Sequence, residues 1–256
     1  NEYRSIIYDL NNRRLPAGVV GLSAIHKAHV ISAACEDLAP HRAIIITPDE
    51  AQASKLCKDL NAFGCDAQLY PAGDITLRPD NVKSREYEHK RLSVLGNLVD
   101  GKIRAVVCSV EAALQYTIPP EELIAKRITL NVDDEIKQDE LIEMLINAGY
   151  TRSAQVDGSG QFSVRGGIID IFSPDCENPY RIEFWGDNID CLSTFEVDSQ
   201  RRIDSTRTVT ITPTNEICCS PVRLIELLED FMKNARGKGT NKVKESIKLD
   251  LEKLEG

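Results

Sequence analysis

In "VVGLSAIHKAH" a glycine, Gly21, stands six residues before a lysine, Lys27. A phosphate-binding loop reads G-x-x-x-x-G-K-[ST] and lies between a strand and a helix. Here His26 occupies the second glycine position and Ala28 the hydroxyl position. His26 adds a side chain where the backbone must approach the phosphates, and Ala28 has no oxygen for the nucleotide's magnesium. The sequence therefore predicts a degenerate loop, no catalytic residue, no bound cofactor and no metal. The free N–H groups of a helix start still offer a weak anion site.

A second constellation lies in "PYRIEFWGDNI". Side chains alternate between the faces of a strand. Tyr180, Ile182 and Phe184 share one face, which must be core. Arg181, Glu183 and Trp185 share the other, and Trp185 is the chain's one tryptophan. Just upstream, Phe162 and Val164 alternate with Ser163 and Arg165. An Arg-flanked Trp on an outer sheet face has the composition of a protein-interface hot spot. The alternative is a Trp ring covered by a neighbouring loop, with the arginines merely solvated. On either reading, truncating Arg181 or Trp185 should leave the fold intact.

Other candidates carry less. Asp133 and Asp134 in "LNVDDEI" resemble a magnesium-holding strand end, but turn or capping roles suit them better. His26 and His29 share a helix face without the further ligands a zinc site needs. No G-x-S-x-G elbow is present. Eight cysteines are scattered with no C-x-x-C pair, which fits a reducing cytosol.

The elements that must position these groups follow from periodicity. "VVGLS", "RAIIITP", "AQLYPA" and "RAVVCSV" read as buried parallel strands. "DEAQASKLCKDLNAFG" and "SREYEHKRLSVLGNLVDG" read as the helices between them, with Gly64 closing the first. Such alternation predicts a doubly wound α/β domain over residues 1–120. Pro119-Pro120 breaks the pattern. Over 121–212, a strand "ITLNV", an amphipathic helix "QDELIEMLINAGY" and several hairpins predict a smaller α+β domain. Gly166-Gly167 and Gly186-Asp187-Asn188 are its turns. Residues 213–256 read as a return into the first domain through two C-terminal helices, the first capped by Ser220.

Of 256 residues 42% are hydrophobic, no apolar run is long enough to span a membrane, and no signal peptide is evident. The net charge of −9 argues against a dedicated duplex-binding module. A start without Met and an end on a charged helix suggest a piece of a longer chain.

The stretch "GQFSVRGGIIDIFSPDCENPYRIEFWGDNIDCLSTFEVDSQRRI" strongly resembles a segment of the bacterial transcription-repair coupling factors. "ITPDEAQASKLCKDL", "FGCDAQLYPAGDITLRPD" and "VVCSVEAALQ" resemble the same family's first domain. A more distant likeness is to UvrB, the excision-repair helicase. The resemblance implies a RecA/helicase-like parallel-sheet domain with a degenerate P-loop and an inserted UvrA-docking domain. It implies a non-catalytic N-terminal adaptor of a cytoplasmic, ATP-driven DNA translocase. UvrA is the implied partner of this module. RNA polymerase and double-stranded DNA are implied partners of the parent's downstream domains. The family's contact residues fall on Arg165, Arg181 and Trp185, with Glu183 added by similarity to UvrB; the family commonly has Phe at position 185. Two rivals stand beside this reading: a nucleotide hydrolase using Lys27, and a DNA-binding module related to UvrB.

Overall fold

A computed structural model describes residues 2–73, 85–216, 221–237 and 240–254. Ser220, read above as a helix cap, and all of "DITLRPD" lie outside the described residues. The chain divides into two units, residues 1–216 and 217–256.

The first unit opens with α1 (Glu2–Asn11) and α2 (Ala24–Asp37). Then come β1 (Ala43–Thr47), α3 (Glu50–Ala62), β2 (Ala67–Tyr70), α4 (Glu86–Val99) and β3 (Ala105–Ser109). The three strands form one parallel sheet in the order β1-β3-β2. Parallel neighbours need crossovers, and α3 and α4 supply them. Asp49 starts α3 because its carboxylate accepts the Gln52 N–H at 2.8 Å. On one sheet face Ala28, Ala53, Cys57 and Leu60 pack over Ala105 and Val107. On the other, Val94 and Ile103 pack over Tyr70, Val106 and Cys108.

The strand expected at "VVGLS" does not form. Residues 14–20 have no regular structure, and Val20 is 94% exposed. Pro16, Gly18 and Gly21 explain this locally: one lacks a ladder donor, and the others offer no side chain to pack.

Short helices α5 (Val110–Leu114) and α6 (Pro120–Ala125) lead to β4 (Ile128–Asn131) and α7 (Gln138–Asn147). Seven strands follow: β5 (Thr151–Arg152), β6 (Gln161–Arg165), β7 (Ile168–Ile171), β8 (Tyr180–Trp185), β9 (Asn188–Phe195), β10 (Arg202–Thr206) and β11 (Thr208–Ile211). Six of them form one sheet in the order β10-β9-β8-β7-β6-β5, antiparallel except for β5 on β6. β11 pairs with β4 instead. Phe162, Ile169, Ile171, Ile182 and Leu192 point from the large sheet into one core. Leu141 and Leu145 of α7 and Ile128, Leu130, Val209 and Ile211 of the small sheet close over them. Tyr180 and Phe184 pack at the edge of this core, as alternation along "YRIEFW" requires.

Charged groups join the two parts of this unit. Arg91 of α4 is buried, pairs with Glu216, and donates to the carbonyls of Pro71 at 3.0 Å and Tyr116 at 3.1 Å. Arg127 meets Asp100 at 2.6 Å and Asp175 at 3.6 Å. A buried guanidinium needs such partners, because an unpaired one would cost several kcal/mol.

The second unit contains α8 (Pro221–Asn234) and α9 (Thr240–Leu254), which contact each other. Among the described residues no helix is long and apolar enough to cross a membrane.

Candidate partner-docking face

The loop region does not have the geometry of a phosphate site. No strand precedes it, and Ser23 acts as the N-cap of α2, accepting the His26 N–H. The Ser23 hydroxyl also lies 3.1 Å from His26 Nδ1. Lys27 is exposed, but Ala28 is fully buried against α3. The position that would hold a magnesium-binding hydroxyl is thus a packing position. His29 turns away from His26 and stacks on Phe63, with ring centroids 5.1 Å apart. Asp133 has a φ of 75°, and Asp134 accepts the Asn131 N–H at 2.7 Å, so this acidic pair makes a turn.

On the large sheet, the face opposite the core gathers the other candidates. Two-residue turns set its register. Gly166 has a φ of 58° and Gly186 a φ of 64°, conformations that favour glycine. A side chain on Gly167 would sit 3.2 Å from the Phe184 carbonyl oxygen, so that position is also a close backbone approach. Across the first of these turns Arg165 stands opposite Ile168; across the longer 172–179 connection Ile168 stands opposite Glu183 and Asp170 opposite Arg181.

Arg165 and Arg181 converge on one carboxylate, that of Asp170. Arg165 Nη2 donates to Asp170 Oδ2 at 2.6 Å. Arg181 donates through Nε to Oδ1 at 2.7 Å and through Nη2 to Oδ2 at 2.9 Å. Asp170 is 1% exposed and the Arg181 side chain 15%. Arg181 also donates to the Gln200 carbonyl at 3.3 Å, and its guanidinium lies 4.4 Å from the centre of the Phe195 ring. The Asp170 hydrogen bonds raise the Arg181 pKa above its ordinary value.

Glu183 turns sideways and pairs with Arg202 of β10. Trp185 ends β8 with its side chain in solvent, and the residue is 81% exposed. Among the described residues no loop covers it, which removes the alternative reading of the tryptophan. The expectation of a merely solvated Arg181 is also corrected. That side chain is bound into the sheet, and its truncation would leave the buried Asp170 carboxylate with Arg165 as its one remaining arginine. Of the four candidates, then, the structure brings Arg165 and Arg181 together. It holds Glu183 on a different partner and leaves Trp185 free.

Asp170, Phe195 and Arg202 escaped the sequence reading. For Asp170 a signal existed: one carboxylate inside the apolar run "GGIIDIF" must be paired if the run is a buried strand. For Arg202 there was none, because a register shift between Arg202 and Ser205 decides its place.

Residues 128–217 match the UvrB interaction domain family. The chain is 32% identical over 232 residues to the transcription-repair-coupling factor of Bacillus subtilis (strain 168), covering 90% of this chain and 20% of that protein. The chain is therefore similar to transcription-repair-coupling factors over most of its own length, and residues 128–217 to the UvrB interaction domain. A same-named protein of Staphylococcus aureus (strain USA300) is 32% identical over 210 residues, 81% of this chain and 18% of its own length. The chain thus spans about a fifth of the length of the curated relatives it matches. The matched UvrB interaction domain takes in both sheets of the α+β part, and with them the Asp170-centred face.

Proposed function

We propose that this chain is a non-catalytic adaptor that docks UvrA on the outer face of its large sheet. It would thereby recruit UvrA to RNA polymerase stalled at DNA lesions, in transcription-coupled nucleotide excision repair. The observation that carries this reading is Trp185, a large aromatic side chain left in solvent at the end of the strand that carries Arg181, within the region that matches the UvrB interaction domain. A monomer gains nothing from exposing such a ring, whereas a desolvated Trp flanked by Arg is a common energetic anchor of interfaces. Arg165, half-exposed, offers charge-assisted hydrogen bonds to acidic groups of UvrA. Glu183, turned to Arg202, bounds the same patch.

The parallel sheet is read as the relic of a RecA/helicase-like domain whose degenerate P-loop has become a packing segment. In the parent protein, ATP-driven translocation on double-stranded DNA and contact with RNA polymerase belong to parts outside this chain. Calorimetric titration with purified UvrA tests the reading. Binding that Trp185→Ala weakens by about 30-fold or more, without a change in melting temperature, is expected of a hot spot. Equal binding by wild type and this variant, or none by either, would remove the proposal.

A further inference from the structure

We infer that Asp170 is the positioning residue of this face: it anchors one arginine so that the other is presented to the partner. The inference rests on the docking reading above and goes beyond it by assigning unequal roles to the two arginines. Asp170 lies at the middle of β7, in register between Ser163 and Arg181. Ser163 and, beyond Arg181, Ser193 are both buried. Short side chains at these positions leave room for guanidinium groups to lie along the sheet.

The donors are used unequally. Arg181 spends its Nε–H and an Nη2–H on Asp170 and an Nη1–H on Gln200, with its flat face on Phe195. A guanidinium has five N–H donors, so little of Arg181 is left for a partner. Arg165 spends one N–H on Asp170, and its side chain is 47% exposed. Arg165 is therefore the arginine that meets the partner, and Arg181 is its platform. Asp170 holds the Arg165 tip in place, so less side-chain freedom is lost when a carboxylate arrives. Within these ion pairs three guanidinium groups meet two carboxylates, an excess of one positive charge. An acidic patch with an apolar centre complements it.

Asp170→Asn keeps the shape and removes the charge. Calorimetric titration of UvrA should show binding weakened by about tenfold, as expected when two long side chains must be ordered anew. In the Arg165→Ala background the same change should cost less than about threefold, because no presented arginine is left to position. A merely structural Asp170 would give the same factor in both backgrounds, and that result would overturn the inference, as would undiminished binding by Asp170→Asn. Wild-type chain that does not bind UvrA would overturn the docking reading and this inference together. Binding by wild type with an unaffected Asp170→Asn variant would overturn only the inference. A further measurement needs no variant to fold. In the wild-type chain the Arg181 Nε proton should exchange with water far more slowly than in free arginine, as read by NMR. Exchange as fast as in the free amino acid would equally overturn the inference.

Discussion

In the three-stranded sheet the central strand β3 is buried at every residue from Ala105 to Ser109. In the six-stranded sheet, β8 buries Ile182 completely and leaves Trp185 in solvent. The difference follows from how the strands are joined. Parallel strands need crossover helices, and α3 and α4 cover the two faces of the central strand, although the edge strand β1 leaves Ile44 and Ile46 exposed. Hairpins need only two-residue turns, so one face stays free for groups that answer to something other than packing. On that face a buried carboxylate, two arginines and a tryptophan persist beside a core that would be complete without them. The helix that follows the phosphate-loop-like segment shows the reverse: Ala28, a would-be ligand position, has been absorbed into packing.

The comparison can be broken at several points, the largest first. Phe162 is fully buried in the core under the large sheet, and Phe162→Ala should cost about 3–5 kcal/mol in urea unfolding. Phe184→Ala should cost less, because that ring packs only at the core's edge. A loss under about 1 kcal/mol for Phe162 would mean that this face is not the core.

On the opposite face, Asp170→Ala should cost about 3 kcal/mol, the low end for breaking a buried ion pair, since Arg165 can still reach water. Thermal and urea melts measure it. A near-neutral result would show the Asp170 cluster to be ordinary surface.

Trp185→Ala should change stability by no more than about 0.5 kcal/mol, because the side chain touches solvent rather than core. On the docking proposal its effect falls on UvrA binding, and a large loss of stability would place the ring in the fold instead. For the parallel-sheet part, Lys27→Ala should be equally quiet in melts. Steady-state assays should find no ATP turnover, with or without DNA, in either protein. Turnover that Lys27→Ala abolishes would restore the hydrolase reading.

The smallest effect expected is on pH dependence, at the seam between the two parts. His89 of α4 lies so close to Gly160 that a side chain there would approach its ring to 2.5 Å. Burial, helped by Arg85, lowers the His89 pKa below its ordinary 6.5. The unfolded chain then binds this proton more readily, so His89's contribution is present above pH 6.5 and is lost as pH falls through the lowered value. Melting temperature should drop on acidification in that window, and His89→Gln should flatten the dependence. An identical slope in the variant would assign the proton uptake elsewhere.

Much of this was legible in the sequence because it depends on neighbours along the chain. Alternation in "YRIEFW" placed Ile182 inward and Trp185 outward, since strand period leaves no other choice. Gly166-Gly167 and Gly186-Asp187 marked the two hairpin turns. The strand expected at "VVGLS" failed because an apolar run needs a paired neighbour before it can become a strand, and periodicity does not report one. Whether Trp185 was covered, and whether Arg181 was free, depended on what lay across the sheet. Asp170 meets Arg165 five residues away and Arg181 eleven residues away only because hairpin register brings three strands side by side. Glu183 meets Arg202 through an irregular pairing that no spacing rule anticipates. Sequence period determines which face a side chain takes; the folded sheet decides which charge waits for it there, because ion pairs form across strands and their energy depends on the water that packing removes.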